Sequence, residues 1–458
     1  MEDKTVHGNA QTYILFAITT FTCAIGSLSQ TVMNSMLLTV SVEFNVGEDV
    51  AQWLTSVYML AIGITVPLVS FLSKRFDDRG LIKISLIFFF AGSLVDMVTS
   101  DFWVLLVGRI LQAIATGITL PMMATIAMMK FPKGQNATAM GISGIAMGFA
   151  PNIGPPIGGV LVTTLGWRSY YVIQAILLVV LFVLTIALLR REQVASEASH
   201  LDLASFVLST LGFGGLLIGF TNAASIPLVS IFVWVPFVLG VLCLVLFIAR
   251  QKRISNPLID LDIMKDERYR IALTAQCCLF ASFMGITLIL PLFVQNVMGL
   301  SAIDAGNVFL APMIFAVVFN PLAGILVDKI GARPVTIGAG LFLAVGAVAM
   351  VFADGQTPFW TVVVIQAIRG IGISSLIGPW ITWGLSTMDF RLMMDGSTFF
   401  ATARQACASF GTALMMLLIT IGSGTGVAAI SWGYQLAFGF SGVLAVVVFV
   451  LALWKVRS

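Results

Sequence analysis

Ser169-Tyr-Tyr-Val-Ile-Gln174-Ala-Ile-Leu-Leu-Val-Val180-Leu-Phe-Val-Leu-Thr185-Ile-Ala-Leu-Leu189 runs for 21 residues without one charged side chain. A helix needs roughly 20 apolar residues to cross the hydrocarbon core of a bilayer. Working outward, thirteen more stretches have the same character: 12–38, 50–73, 80–100, 102–129, 137–164, 203–223, 227–249, 271–296, 304–327, 334–353, 358–385, 396–422 and 432–454. A soluble protein has too little interior to hide fourteen such segments. Inside lipid every backbone N–H and C=O must be satisfied within its own segment, so each span is expected to be helical. The composition agrees: of 458 residues, 59% are hydrophobic and 10% charged, and mean hydropathy is +1.03. The chain therefore reads as an all-α integral membrane protein. Its connections are short, which predicts antiparallel neighbours and leaves no room for a separate soluble domain.

The net charge of +3 says little, but its distribution says more. One set of loops carries Glu43, Glu48, Asp49, Asp101, Asp304 and Asp354 with a single basic residue, Arg168. The opposite set holds Lys74, Arg75, Arg79, Lys130, Arg190, Arg191, Arg250, Lys252, Lys265, Arg268, Lys329, Arg333 and Arg391. The positive-inside rule then predicts a multi-pass protein of the cell membrane with both termini cytoplasmic. These clusters set topology and call for no nucleic-acid partner. Residues 1–12 are polar and mixed in charge, and the apolar run after them is too long for a signal-peptide core. All five cysteines (Cys23, Cys243, Cys277, Cys278, Cys407) lie in spans, and only His7 and His200 are present, so neither a disulfide framework nor a metal site is expected. Asn136-Ala-Thr138 fits a glycosylation sequon but falls on the predicted cytoplasmic side.

An internal repeat organises the chain. Ser70-Phe-Leu72-Ser-Lys74-Arg75-Phe-Asp77-Asp78-Arg79-Gly80 follows the second span, and Gly324-Ile-Leu326-Val-Asp328-Lys329-Ile-Gly331-Ala-Arg333-Pro334 follows the tenth. Both read as tight basic turns closing a helix pair. The fourth and twelfth spans each bury one arginine at a similar depth, Arg109 and Arg369. Span n thus matches span n+8. This predicts an N-terminal six-helix lobe over 1–190, a linker with an inserted two-helix hairpin over 191–268, and a C-terminal six-helix lobe over 269–458. Related halves around a central site are how many secondary transporters are built. The hairpin is expected at the periphery as a spacer.

A charge inside the membrane is costly, so it usually has a purpose. Arg109, Arg369, Arg404 and Asp96 qualify; each arginine could equally bind backbone carbonyls and lock helices together. The first span is unusually polar, and Gln30 and Asn34, four apart, are expected on one helix face. With Gln52, Tyr58, Arg109, Gln276 and Gln295 they are the candidates for a substrate cavity. The fifth span contains Gly148-Phe-Ala-Pro151-Asn152-Ile-Gly154-Pro155-Pro156-Ile-Gly158-Gly159. Its prolines remove hydrogen bonds and kink a helix, and its small residues allow close approach. A kinked, glycine-lined contact between halves is expected there.

These residues resemble the major facilitator superfamily, and specifically its 14-helix drug:proton antiporter branch, over nearly the full length. Residues 324–334 resemble the signature loop between the second and third helices of a half, and 70–80 are a degenerate copy. Gating roles for Arg75, Arg79, Gly324, Asp328, Gly331 and Arg333 follow from that resemblance. Arg109 with Gln112 and Gly117 is similar to a fourth-helix signature implicated in proton transfer. Gly154-Pro155-Pro156-Ile157-Gly158-Gly159 is similar to the fifth-helix antiporter signature. Leu290-Pro291 through Gly299-Leu-Ser301, and Ala403-Arg404-Gln405, resemble further patterns of the branch.

The sequence departs from that pattern in the first helix. Members commonly carry an acid just before a threonine there, whereas this chain reads Ser29-Gln30-Thr31. Lys74 stands where the first signature loop usually has an acid. Two functions follow. One is proton-coupled efflux of amphipathic drugs or metabolites, with Asp96, Arg109 or Asp395 carrying the proton and the proton gradient as energy source. The other is symport or facilitated diffusion of an organic anion through the buried arginines. No nucleotide-binding or enzymatic constellation is visible. The expected partners are the lipid bilayer, a small-molecule substrate and protons, with the chain acting as a monomer.

Overall fold

Lipid demands fourteen helices of this chain, and local chemistry sets their ends. The computed structural model describes residues 10–51, 53–132, 134–190, 202–226, 229–254, 257–422 and 427–456. Gln52, one of the cavity candidates, lies outside them. The spanning helices are α1 Ala10–Ser35, α2 Trp53–Ser73, α3 Asp78–Val98, α4 Phe102–Met129, α5 Asn136–Thr164, α6 Arg168–Leu188 and α7 Leu203–Phe220. They continue as α8 Ile231–Gln251, α9 Glu267–Asn296, α10 Asp304–Ile330, α11 Ala332–Val351, α12 Phe359–Leu385, α13 Phe390–Gly422 and α14 Ser431–Lys455. Among the described residues there is no strand.

Carboxylates start several of these helices by accepting otherwise unpaired first-turn N–H groups. Asp77 accepts from Gly80 N, Asp101 from Trp103 and Val104 N, and Asp266 from Arg268 and Tyr269 N. Asn136 donates to the carbonyls of Ala127 and Met128 at the end of α4, so the apparent sequon serves as a helix stop. Gly331, at φ +87°, makes the turn from α10 into α11, where a side chain would be strained.

The packing repeats with the spacing seen in the sequence. α1 packs on α4 and α5, α2 on α4, and α3 on α4 and α6. Eight helices later, α9 packs on α12 and α13, α10 on α12, and α11 on α12 and α14. The two six-helix halves meet through α5 against α10 and, symmetrically, α13 against α2. α4 and α12 are the most enclosed helices of their halves, with 61% and 67% of their apolar windows buried.

The hairpin differs from its expected place in one respect. α8 has 17% of its window buried and, among the described residues, packs chiefly on α7, as a peripheral helix should. α7, however, also packs on both α2 and α13, one from each half. It therefore lies along a seam between the halves.

Candidate functional site

The first half buries a polar chain that crosses four helices. Asp96 (α3) and Arg109 and Gln112 (α4) are each 0% exposed. Gln112 Nε2 donates to Asp96 Oδ2 at 2.9 Å, while its Oε1 accepts from Arg109 Nη1 at 3.1 Å and from Ser29 Oγ at 3.0 Å. The orientation of the amide follows from its neighbours, because guanidinium can only donate and carboxylate can only accept. Arg109 donates further to Ser29 Oγ (3.0 Å), Ser29 O (2.9 Å) and Leu54 O (3.3 Å). Its Cζ lies 4.3 Å over the ring of Tyr58, whose hydroxyl reaches Gly26 O and Thr116 Oγ1. One oxygen, Asp96 Oδ1, has no hydrogen-bond partner. It packs against Gly108, where a Cβ would collide with it. Asp96 and Arg109 are thus joined through Gln112.

Arginines in the second half have no such partners. Arg369 donates to Ser282 O and Oγ at 2.8 and 2.9 Å, and its Nε and Nη1 are buried without acceptors. Arg404 (α13) crosses to the first half, where Nη1 meets Met147 Sδ of α5 at 3.1 Å, and its Cζ lies 4.4 Å over the Phe280 ring of α9.

Toward the side where the chain termini lie, called here the terminal side, two junctions tie the halves. Asp328, at the end of α10, accepts from Ala137 N (3.2 Å), Thr138 N (2.7 Å) and Thr138 Oγ1 (2.5 Å). These groups open α5, which has no side-chain cap of its own. A carboxylate from one half therefore caps a helix of the other, with the macrodipole favouring the negative charge. At the symmetric junction Asp395 (α13) accepts from Ser70 Oγ of α2 and from Asp260 N at 3.3 Å. Lys74, where the repeat puts the counterpart of Asp328, lies within electrostatic reach of Asp395. At this junction the acid stands on α13 and not on α2.

Known proteins agree with this architecture. A family model described as Major Facilitator Superfamily matches residues 18–412. The chain belongs to this superfamily. The uncharacterized MFS-type transporter YcnB of Bacillus subtilis is 31% identical over 93% of this chain and 91% of its own. Lincomycin resistance protein LmrB of Listeria monocytogenes is 30% identical, covering 92% of each. Among solved structures, the MFS transporter FucP in the outward conformation superposes with a TM-score of 0.65 over 98% of this chain and 100% of its own, at 14% identity. The molecule is accordingly a multi-pass membrane transporter of the superfamily that binds small-molecule substrates, and not an enzyme.

The superfamily signatures sit differently from what their wording suggested. Gly154 and Gly158 of α5 face α1 in the same half: a Cβ on Gly154 would meet Val32 N at 2.9 Å, and one on Gly158 would meet Val32 O at 2.6 Å. Gly159 faces open space, Pro151 is buried, and Ser35 Oγ donates to Pro155 O at 2.8 Å. The glycine contact between halves is made by Gly148, at the start of that stretch, and by Gly141 and Gly144 before it. Gly141 and Gly144 meet Asn320 of α10, and a Cβ on Gly148 would come within 3.3 Å of Ile377 of α12. A π-helical turn at Ile145–Phe149 separates the two sets and changes which face they present. Pro156 lies beyond it, in the half that packs on α1.

Candidate cavity residues scatter. Asn34 is exposed and accepts from Thr55 Oγ1, and Gln30 is half-buried. The expected shared face fails because α-geometry ends at Val32 and Asn34 falls in a 3₁₀ turn. Tyr58 and Arg109 are enclosed in the first-half bundle rather than lining a groove. Gln276 is buried, donating to Ile377 O at 2.7 Å, and its Oε1 is unpaired. Gln295 is exposed and returns to its own helix at Pro291 O. Of the loop residues, Arg79 donates to Ile186 O of α6, Gly324 lets α10 touch Ala137, and Arg75 and Arg333 are exposed. Asp395 and Asp96 lie at opposite ends of the membrane span. Ser29, unremarked as a site residue, is central to the network; its signal was its place in the polar stretch beside Gln30.

Proposed function

We propose that this protein is a proton-coupled exporter of amphipathic small molecules, of the 14-helix drug:proton antiporter branch, working by alternating access. Its lobes are 1–190 and 269–458 around the inserted 191–268, and it acts as a monomer in the cell membrane. The asymmetry of loop charge supports cytoplasmic termini. The name of the LmrB relative supports drug efflux as the cargo class.

The observation that carries the reading is the Asp96–Gln112–Arg109–Ser29 chain. Asp96 Oδ1 is free of partners and is the oxygen open to a proton. A protonated carboxyl becomes a donor. With the proton on Oδ1, Oδ2 still accepts from Gln112 Nε2, but the carboxylate charge that strengthens that bond is gone. Proton arrival on α3 is thereby passed to α1 and α2 through a weakened Asp96–Gln112 tie to Arg109. In this reading Arg109 couples rather than binds cargo, and Asp395 is a tie between halves. An organic-anion symporter or uniporter is the second reading, favoured by Arg404, which faces the other half without a carboxylate partner among the described residues.

The test is purified protein in liposomes under an imposed pH gradient, with saturable efflux of a fluorescent amphiphile as readout. Coupled transport should follow the gradient, and Asp96→Asn should keep downhill flux while losing its dependence on pH difference. Flux indifferent to the gradient in the parent protein would discard coupling.

A further inference from the structure

Arg404 combines three properties that neither of the other buried arginines, Arg109 and Arg369, shares. It lies in the membrane-spanning part of α13, nine residues beyond Asp395, or about 13 Å along the helix at 1.5 Å per residue. It bridges the halves, touching Met147 of α5 and Phe280 of α9. It also keeps 7% of its surface accessible, whereas Arg109 and Arg369 are at 0%. Its one hydrogen-bond partner among the described residues is a thioether, a weak acceptor.

Among the described residues no carboxylate pairs with Arg404. The first-half helices that face the centre, α1, α2, α4 and α5, contain no Asp or Glu. Asp96 on α3 is committed to Gln112. In the second half α12 and α14 contain no acid, the acids of α9 and α10 are at helix ends, and Asp395 is held at the terminal side. The neighbours that feel Arg404 are thiols, Cys23 of α1 and Cys277 of α9. Cys277 neighbours Cys407, one turn along α13 from Arg404. A buried charge without a partner is costly unless something brings one.

We propose that Arg404 binds a carboxylate on the transported molecule, whose apolar or aromatic body lies along Phe280 and Met147. The planar guanidinium fork matches a carboxylate in bidentate geometry. Arg404 is thus a specificity-determining residue at the junction of the halves. This rests on the carrier reading above and narrows its cargo to acidic amphiphiles.

Cys407 and Cys277 are native reporters of that site. The experiment measures their alkylation by N-ethylmaleimide, by mass spectrometry of the full chain, in the presence of benzoate, 2-naphthoate or fluorescein and of the neutral amides of the two simple acids. Carboxylates should slow alkylation at least tenfold over their amides. Arg404→Gln should erase the difference, and Arg404→Lys, which keeps charge but not the fork, should retain part of it. Thermal unfolding of each variant separates a lost site from a lost fold. Equal protection by acid and amide, or protection that survives Arg404→Gln, would overturn the proposal. Liposome flux of the same probes separates the two readings. Protection without flux keeps the site and removes the carrier, and flux of amide but not acid does the reverse.

Discussion

Removing Asp328 should unlock the terminal side of the molecule. Asp328→Ala deletes three acceptor contacts at once, to Ala137 N, Thr138 N and Thr138 Oγ1. A net hydrogen bond contributes about 1 kcal/mol, so the closed junction loses about 3 kcal/mol relative to a state in which α5 and α10 have parted. Each 1.4 kcal/mol is tenfold in population, which makes the expected change about two orders of magnitude. Asp328→Asn keeps one acceptor oxygen and should fall between the two. The assay uses Met140, which is 0% exposed and whose backbone lies 3.1 Å from a Cβ built on Gly378 of α12. With the five native cysteines replaced by serine, Met140→Cys should react with a membrane-impermeant thiol reagent only while the terminal side is open. Its labelling rate should rise about 100-fold in Asp328→Ala, by the tenfold-per-1.4 kcal/mol rule. An unchanged rate in a variant with normal thermal stability would refute the idea that this cap holds the halves together.

Three other outcomes are expected. Gly158→Ala would drive a Cβ to 2.6 Å from Val32 O, and overpacking of this kind costs roughly 1–3 kcal/mol, read as a lower midpoint in detergent thermal unfolding; no shift would mean α1 and α5 are looser than described. Gln112→Leu should separate Asp96 from Arg109, giving flux that no longer responds to an imposed pH gradient; retained coupling would remove Gln112 from the proton path. At the terminal ends of α7 and α8, Arg250 donates to Asp202 at 2.7 and 2.9 Å, and these bonds pull the Asp202 pKa down to about 2. A depressed carboxylate contributes stability above its unfolded pKa of about 4 and loses it as pH falls toward the folded value. Hydrogen exchange at the start of α7, corrected for intrinsic rate, should therefore quicken between about pH 4 and pH 2, as that linkage requires. Asp202→Asn should remove the pH dependence.

Much of the fold was legible because lipid imposes it. Length and apolarity reveal a span wherever water is absent, and the n+8 repeat was visible in two loops and two arginines. Which neighbour a residue meets was less so. The fifth-helix glycines read correctly as a close contact, yet Gly154 and Gly158 meet α1 while Gly141, Gly144 and Gly148 meet the other half. A π turn had reset the face, and nothing in the local residues announces one. Asn34 escaped its expected register for a similar reason, through a 3₁₀ turn. Gln112 was readable as a same-face neighbour of Arg109, three residues on, but its link to Asp96 joins separate spans and needs coordinates.

α7 occupies the seam between α2 and α13, while the symmetric seam between α5 and α10 is closed by bare glycine backbone. The molecule is thus two-sided toward its lipid surroundings. An amphiphile diffusing within the membrane meets an extra helix at one flank and a direct joint at the other. Lateral entry from a leaflet would then have a preferred door, so that cargo arriving through lipid and cargo arriving through water need not approach the centre from the same direction.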